Sequence, residues 1–182
     1  MSLPKHAKKV FEGVMFDVYQ WEQEQFDSST KTFEAVKRKE SVQLIATQED
    51  KLLLLEEEQP HTGKFIALIG GICDTQNPID DAKRELLEET GMICKDIQFW
   101  QQTGFSAKII WNTNYYIARN CTKITNPQLD AGERINVFKV TFEEFIEKVL
   151  TDDFRNREFS NMILKMIHED KLDEFKKMIF NK

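Results

Sequence analysis

The sequence predicts an α+β fold in which helices pack on a mixed sheet. Three observations carry that expectation. Short stretches that alternate or run β-branched recur along the chain, apolar residues recur at helical intervals in four longer stretches, and a double glycine joins a strand-like run to the first of these. With 182 residues, 41% hydrophobic content and 14 Phe, the chain can bury a sizeable core as one domain.

Residues 10–19 and 32–37 read as strands, and Asp27-Ser28-Ser29-Thr30 has the composition of a hairpin turn between them. Residues 42–46 and 52–56 form a second strand pair, and 65–69 runs straight into Gly70-Gly71. A helix is predicted over 78–90. Asn77 can cap it, Pro78 suits its first position because the missing N–H costs nothing there, and Gly91 can supply a left-handed terminus. Strands follow at 97–102, 114–118 and 135–140, then helices at 142–150, 160–168 and 171–179. The last two carry Met162, Ile163, Met166 and Ile167, then Leu172, Phe175, Met178 and Ile179, at helical intervals. Core packing is the simplest use of these faces, and a groove for a partner helix is the alternative.

The net charge of -6 argues against broad nucleic-acid or acidic-membrane binding and leaves small molecules as partners. Cys73, Cys94 and Cys121 are odd in number and lack zinc-like spacing, which suits a reducing compartment. No apolar signal segment precedes the first strand, and the apolar run at 52–55 is far too short to span a bilayer. A soluble, cytoplasmic protein is therefore expected. Neither repeats nor low-complexity tracts interrupt the chain.

The chemistry concentrates in the segment that begins Gly70-Gly71 and ends Arg84-Glu85-Leu86-Leu87-Glu88-Glu89-Thr90-Gly91-Met92. At roughly 100° per residue, Glu85, Glu88 and Glu89 fall within about a 100° arc, while Ile79, Ala82 and Leu86 gather on a neighbouring arc that can face a core. A Glu-rich helix is ordinarily just a solvated face. Here the preceding glycines and the fixed Arg84-Glu85 and Gly91 spacing point instead to carboxylates that converge. Converging like charges repel and raise one another's pKa, so a hard divalent cation such as Mg²⁺ or Mn²⁺ is the natural neutraliser. Such a cation can bridge a diphosphate and lower the pKa of an attacking water.

This segment resembles the Nudix motif: Gly, five residues, Glu, seven residues, then Arg-Glu-apolar-any-Glu-Glu-any-Gly-apolar. Arg84 through Met92 satisfies the second half at every specified position. Gly70 gives the ungapped spacing, whereas reading Leu68-Ile69-Gly70-Gly71 as the family's Leu-Pro-Gly-Gly makes Gly71 the motif glycine with a loop one residue shorter, and the latter register is favoured. In both, Gln76 stands where the family has Glu. Flanking features look most like the ADP-ribose and ADP-sugar pyrophosphatase branch: Glu58-Gln59 like the start of its Glu-Gln-aromatic-Arg segment, Gly104-Phe105-Ser106 like its Pro-Gly-Phe-Ser loop, and the strand after Glu133 like its late acidic-loop strand. His61 sits where that branch usually has Arg, and Ala67 where it usually has Glu.

The resemblance implies an α/β/α Nudix sandwich at residues 41–150, an N-terminal antiparallel strand region at 1–40 that completes a homodimer and borders the base pocket, and a C-terminal helical extension at 151–182. It implies metal ligation by Glu85, Glu88, Glu89 and the main-chain carbonyl of Gly70. It gives Arg84 the task of orienting a neighbouring carboxylate, and a hydrogen bond to Gln76 is one expected contact. Glu133, in the acidic loop 129–134, becomes the expected general base, with Asp130 second. His61, Gly71, Phe105 and Asp130 are candidate substrate contacts, although His61 fits a plain turn and Phe105, Trp111, Tyr115 and Tyr116 fit core packing. Asp81, one turn before Glu85, is either an outer ligand or an acid favoured by the helix N-terminus. The implied reaction is metal-dependent cleavage of ADP-ribose or a related nucleotide-sugar to a nucleoside monophosphate and a sugar phosphate. Another diphosphate or triphosphate substrate, or a sensor that binds without turnover, is the alternative.

Overall fold

The computed structural model describes residues 2–104 and 108–181. In chain order the elements are β1 (Lys8–Glu12), β2 (Asp17–Glu24), β3 (Thr30–Lys37), β4 (Ser41–Gln48), β5 (Lys51–Gln59), β6 (Gly63–Ala67), α1 (Pro78–Thr90), β7 (Met92–Ile93), β8 (Asp96–Gly104), β9 (Ile109–Ile110), β10 (Asn112–Arg119), β11 (Thr122–Lys123), β12 (Arg134–Val140), α2 (Phe142–Val149), α3 (Arg157–His168) and α4 (Leu172–Phe180).

The central sheet runs β12-β5-β4-β10-β8, with β6 also paired to β5. It is mixed, because β10 runs parallel to β4 while its other neighbours are antiparallel. Alternation along β4, β5 and β10 sends side chains to two separate cores. Leu44, Leu53, Leu55, Tyr116 and Ala118 meet Ala82 and Leu86 of α1 on one face. Ile45, Leu52, Leu54, Tyr115 and Ile117 meet Phe145, Phe159, Ile163, Phe175 and Ile179 of α2, α3 and α4 on the other. Burial on both faces explains why 52–55 reads as an unbroken apolar run. The result is the expected α+β layering, and the faces of α3 and α4 are spent mainly on the core.

The second sheet, β1-β2-β3-β9, packs less tightly and leaves Val10, Phe11, Val14, Met15 and Phe26 exposed. Here the sequence expectation needs correction: residues 10–19 are not one strand. The chain turns at Gly13, where a Cβ would meet the Phe16 carbonyl oxygen at 2.5 Å, and β2 folds back antiparallel on β1. The two-residue pairs β7, β9 and β11 carry no periodic signal and are absent from the sequence reading. Asn77 does occupy the N-cap position of α1, but its side chain donates to Asp80 and leaves the helix N–H groups alone. At the far end of the molecule Arg119, buried on β10, donates to the carbonyls of Met178 and Ile179 and so closes the C-terminus of α4. No helix among the described residues is long and apolar enough to cross a membrane.

Candidate active site

The site begins where two strands part. β4 and β5 pair only beside their hairpin, at Thr47 with Leu52 and Gln48 with Lys51. Beyond it β6 and the glycine turn fill the gap: Leu44 N–H donates to the Ile69 carbonyl at 2.8 Å and Val42 N–H to the Gly71 carbonyl at 2.9 Å. The Gly70 carbonyl, lying between these two, accepts no hydrogen bond among the described residues. Gly70 has φ +153°, and a Cβ there would meet the Val42 carbonyl oxygen at 2.1 Å, so only glycine fits. At Gly71 a Cβ would lie 2.3 Å from a carboxylate oxygen of Glu85, so a side chain there would displace that acid.

The helix that follows presses its acids against this turn. Glu89 is buried and accepts from Gly70 N–H at 2.9 Å. Burial drives its pKa well above the ordinary carboxylate value, and nearby Glu85, Glu57 and Glu133 add to the rise. Burial likewise pushes Glu85 up to about 7 despite the adjacent Arg84. Glu88 lies further out, at 40% side-chain exposure. Arg84 binds Glu88 at 2.7 Å, Glu85 at 2.8 Å and the Ile72 carbonyl at 3.0 Å, so it faces the carboxylates as expected. It does not bond Gln76, which is exposed, and the Arg84 Nε is buried without a partner.

Asp81 holds the loop between glycines and helix. Fully buried, it accepts from the N–H groups of Asp74 and Thr75 and from the Thr75 hydroxyl at 2.8 Å. Burial pushes its pKa up, but these bonds outweigh that and hold the carboxyl below its ordinary value. It therefore acts as a loop clasp, a use the sequence reading did not include.

Across the turn, β5 contributes Glu57 and the segment before β12 contributes Glu133, both with pKa raised chiefly by burial and opposed in part by Arg155. Together with Gly70, Gly71 and Glu89 they line a cleft of about 590 Å³. Its far side is made by Arg38, Trp111, Tyr115 and the segment Arg155-Asn156-Arg157-Glu158. Arg38 stacks on Trp111, 4.3 Å from the ring centroid, and Trp111 donates its indole N–H to Ser41. Asn156 accepts from Leu68 N–H at 2.9 Å, which locks the start of α3 to the approach of the glycine turn.

The structure thus brings Gly70, Gly71, Glu89 and Glu133 to one cleft, with Glu85 directly behind Gly71. Glu88 stands at its outer edge, and Asp130 and His61 are exposed on turns outside the lining. Phe105 lies outside the described residues. Among the described residues, no three acids are gathered at ligating distance, because Arg84 and Gly70 N–H hold the carboxylates. The donors nevertheless fit a hard divalent cation: buried Glu89 and partly buried Glu85, both with raised pKa, offer carboxyl oxygens beside the Gly70 carbonyl. The sequence reading missed Glu57, Arg38 and Arg155. Glu57 was within reach, since period two along β5 puts it on the inward side with Leu53 and Leu55. Arg38 and Arg155 reach the cleft only through tertiary packing.

The arrangement, a mixed sheet covered by helices on both faces with a glycine turn that feeds an acid-lined helix, defines the class of scaffold. A sequence model of the NUDIX domain matches residues 37–162, and the chain belongs to this family, as a Nudix hydrolase. Members of the family generally need a divalent metal. Among solved structures, one titled "Crystal structure of ADP compounds hydrolase" superposes with a TM-score of 0.73 at 17% identity, covering 92% of this chain and 95% of that one. No curated protein matches the sequence.

Proposed function

We propose that the protein hydrolyses the diphosphate linkage of a nucleotide-sugar, with ADP-ribose as the leading substrate and Mg²⁺ or Mn²⁺ as the ion. The observation that carries this reading is the stack of Glu85 and Glu89 against Gly70-Gly71 in the same cleft as Glu133. The choice of an adenosine diphosphate compound draws support from the structural neighbour, an ADP compounds hydrolase.

In this reading Glu85, Glu88, Glu89 and the Gly70 carbonyl would hold the cation, which would supply charge neutralisation and water activation for diphosphate cleavage. Arg84 keeps Glu85 and Glu88 in position. Glu133, half-buried beside Glu57, takes the proton of the attacking water, a duty its raised pKa suits. Gly71 lets backbone approach the phosphates closely. Asp130 and His61, exposed outside the cleft lining, take no part in this reading.

A binding domain without turnover is the second reading, motivated by the unpartnered Arg84 Nε and the exposed Gln76. Incubation with ADP-ribose, other nucleotide-sugars, dinucleoside polyphosphates and nucleoside triphosphates, with Mg²⁺, Mn²⁺ or chelator, separates the two. Metal-dependent release of AMP from ADP-ribose supports hydrolysis. Tight binding with no product supports the sensor.

We further propose that residues 1–40 form a dimerisation element on the 41–150 hydrolase domain, with 151–182 as a helical extension. Exposed Val10, Phe11, Val14 and Met15 supply the apolar surface for a homodimer, and light scattering tests it. The three free cysteines suit the reducing cytoplasm.

A further inference from the structure

We propose that Arg155 is a diphosphate-binding residue, gripping the phosphate oxygens from the side of the cleft opposite Glu85 and Glu89; this rests on the diphosphate reading above.

A cleft lined by Glu57, Glu89, Glu133 and Glu158 repels a diphosphate unless positive charge meets it from more than one direction. The candidates are few. Arg84 is engaged with Glu85 and Glu88 behind the glycine turn. Arg157 turns away, donating to the carbonyls of Thr151 and Asp152. Arg38 lies with its guanidinium against Trp111. Arg155 is different: among the described residues it forms no ion pair, and its side chain makes one long hydrogen bond, to Gln59 Oε1 at 3.3 Å.

Its position is fixed by backbone and ring. Arg155 N–H donates to the Ile66 carbonyl at 2.8 Å and Ile66 N–H to the Asp153 carbonyl at 2.9 Å, so this connector bridges to β6 as a short parallel strand. Phe154 beside it is fully buried in the core. The guanidinium lies over the Phe65 ring, 4.5 Å from its centroid, which holds the plane while leaving its edge donors, apart from the one on Gln59, available. A planar fork whose stem is already ordered loses little entropy when it meets phosphate oxygens, and its two-pronged geometry matches them. The charge of Arg155 already offsets Glu57 and Glu133 across the cleft, and its pre-oriented guanidinium keeps donors available for an anion placed between them.

The test is calorimetric titration of imidodiphosphate, a non-hydrolysable diphosphate, into the Mg²⁺-loaded parent, Arg155→Ala and Arg155→Gln. The Gln variant keeps a stem over Phe65 in case truncation harms folding. Both variants are expected to bind imidodiphosphate roughly tenfold or more weakly, with Mg²⁺ affinity in the absence of anion and the melting temperature unchanged. Variant affinity within about twofold of the parent, or a parent that does not bind imidodiphosphate, overturns the assignment. Absence of AMP release from every nucleotide-sugar overturns the substrate reading instead, and leaves the imidodiphosphate comparison to decide on Arg155.

Discussion

Two walls face each other across the cleft, and they are built on opposite principles. The wall of α1 and the glycine turn is crowded with acids, and the burial of Glu89 and partial burial of Glu85, with their mutual repulsion added, oppose folding. The wall of Tyr115 and the start of α3 rests on an aromatic cluster in which Phe159, fully buried, stacks on Tyr115 at 5.9 Å and meets Trp100, Phe145, Phe154 and Phe175. One wall holds chemistry at the expense of stability, and the other supplies the stability. The difference teaches that function and rigidity in this molecule are separable by mutation.

Glu89→Gln breaks the first wall with the largest effect. It removes a ligand charge, and kcat/KM on the substrate identified in the panel falls roughly 10³-fold, about 4 kcal/mol of transition-state stabilisation. Because a buried carboxylate costs stability, the metal-free melting temperature does not fall. A variant that hydrolyses as fast as the parent removes Glu89 from the site. Phe159→Ala breaks the second wall, at a cost of about 3–5 kcal/mol in urea unfolding. A loss near 1 kcal/mol, on the scale of an average substitution, would mean that the aromatic cluster is not the foundation described.

Asp81→Ala sharpens the comparison, since it is an acid of the first wall that stabilises. At neutral pH the variant loses about 2–4 kcal/mol, as Thr75 and the Asp74 N–H are left without an acceptor. Its folded pKa lies below the ordinary carboxylate value. The stabilisation is therefore complete above that ordinary value and is lost as pH falls through the folded one. Melting curves of parent and variant should converge in acid, and a constant gap contradicts the role of charge. Gln76→Glu has the smallest effect: an exposed side chain without a bond to Arg84 changes Mg²⁺ affinity by no more than about twofold.

The unequal legibility of the two walls has a physical cause. Glu85, Glu88, Glu89, Gly70 and Gly71 sit within one turn-and-helix unit, so a local motif and the family resemblance it carries pointed to them, and the capping residues marked the bounds of α1. Glu133 was reached through its acidic loop. Arg155 and Arg38 carry no local pattern, because what brings them to the cleft is the docking of the α2–α3 connector on β6 and the pairing of β3 with β9. The break at Gly13 was missed since apolar residues continue through the turn, which faces solvent at Val14 instead of a core. Gln76 and Asn77 were assigned the right segment but the wrong contacts, as Asp81 had taken the loop.

The Arg119 grip on Met178 and Ile179 has a bearing on how the chain comes into being. Phe175 and Ile179 share a cluster with Ile45 and Leu52, more than a hundred positions earlier. During synthesis the part of this sheet face that α2 and α3 do not cover thus waits until α4 has left the ribosome, and only then does Arg119 find its carbonyls. A nascent chain halted before that point offers the remaining apolar surface to chaperones.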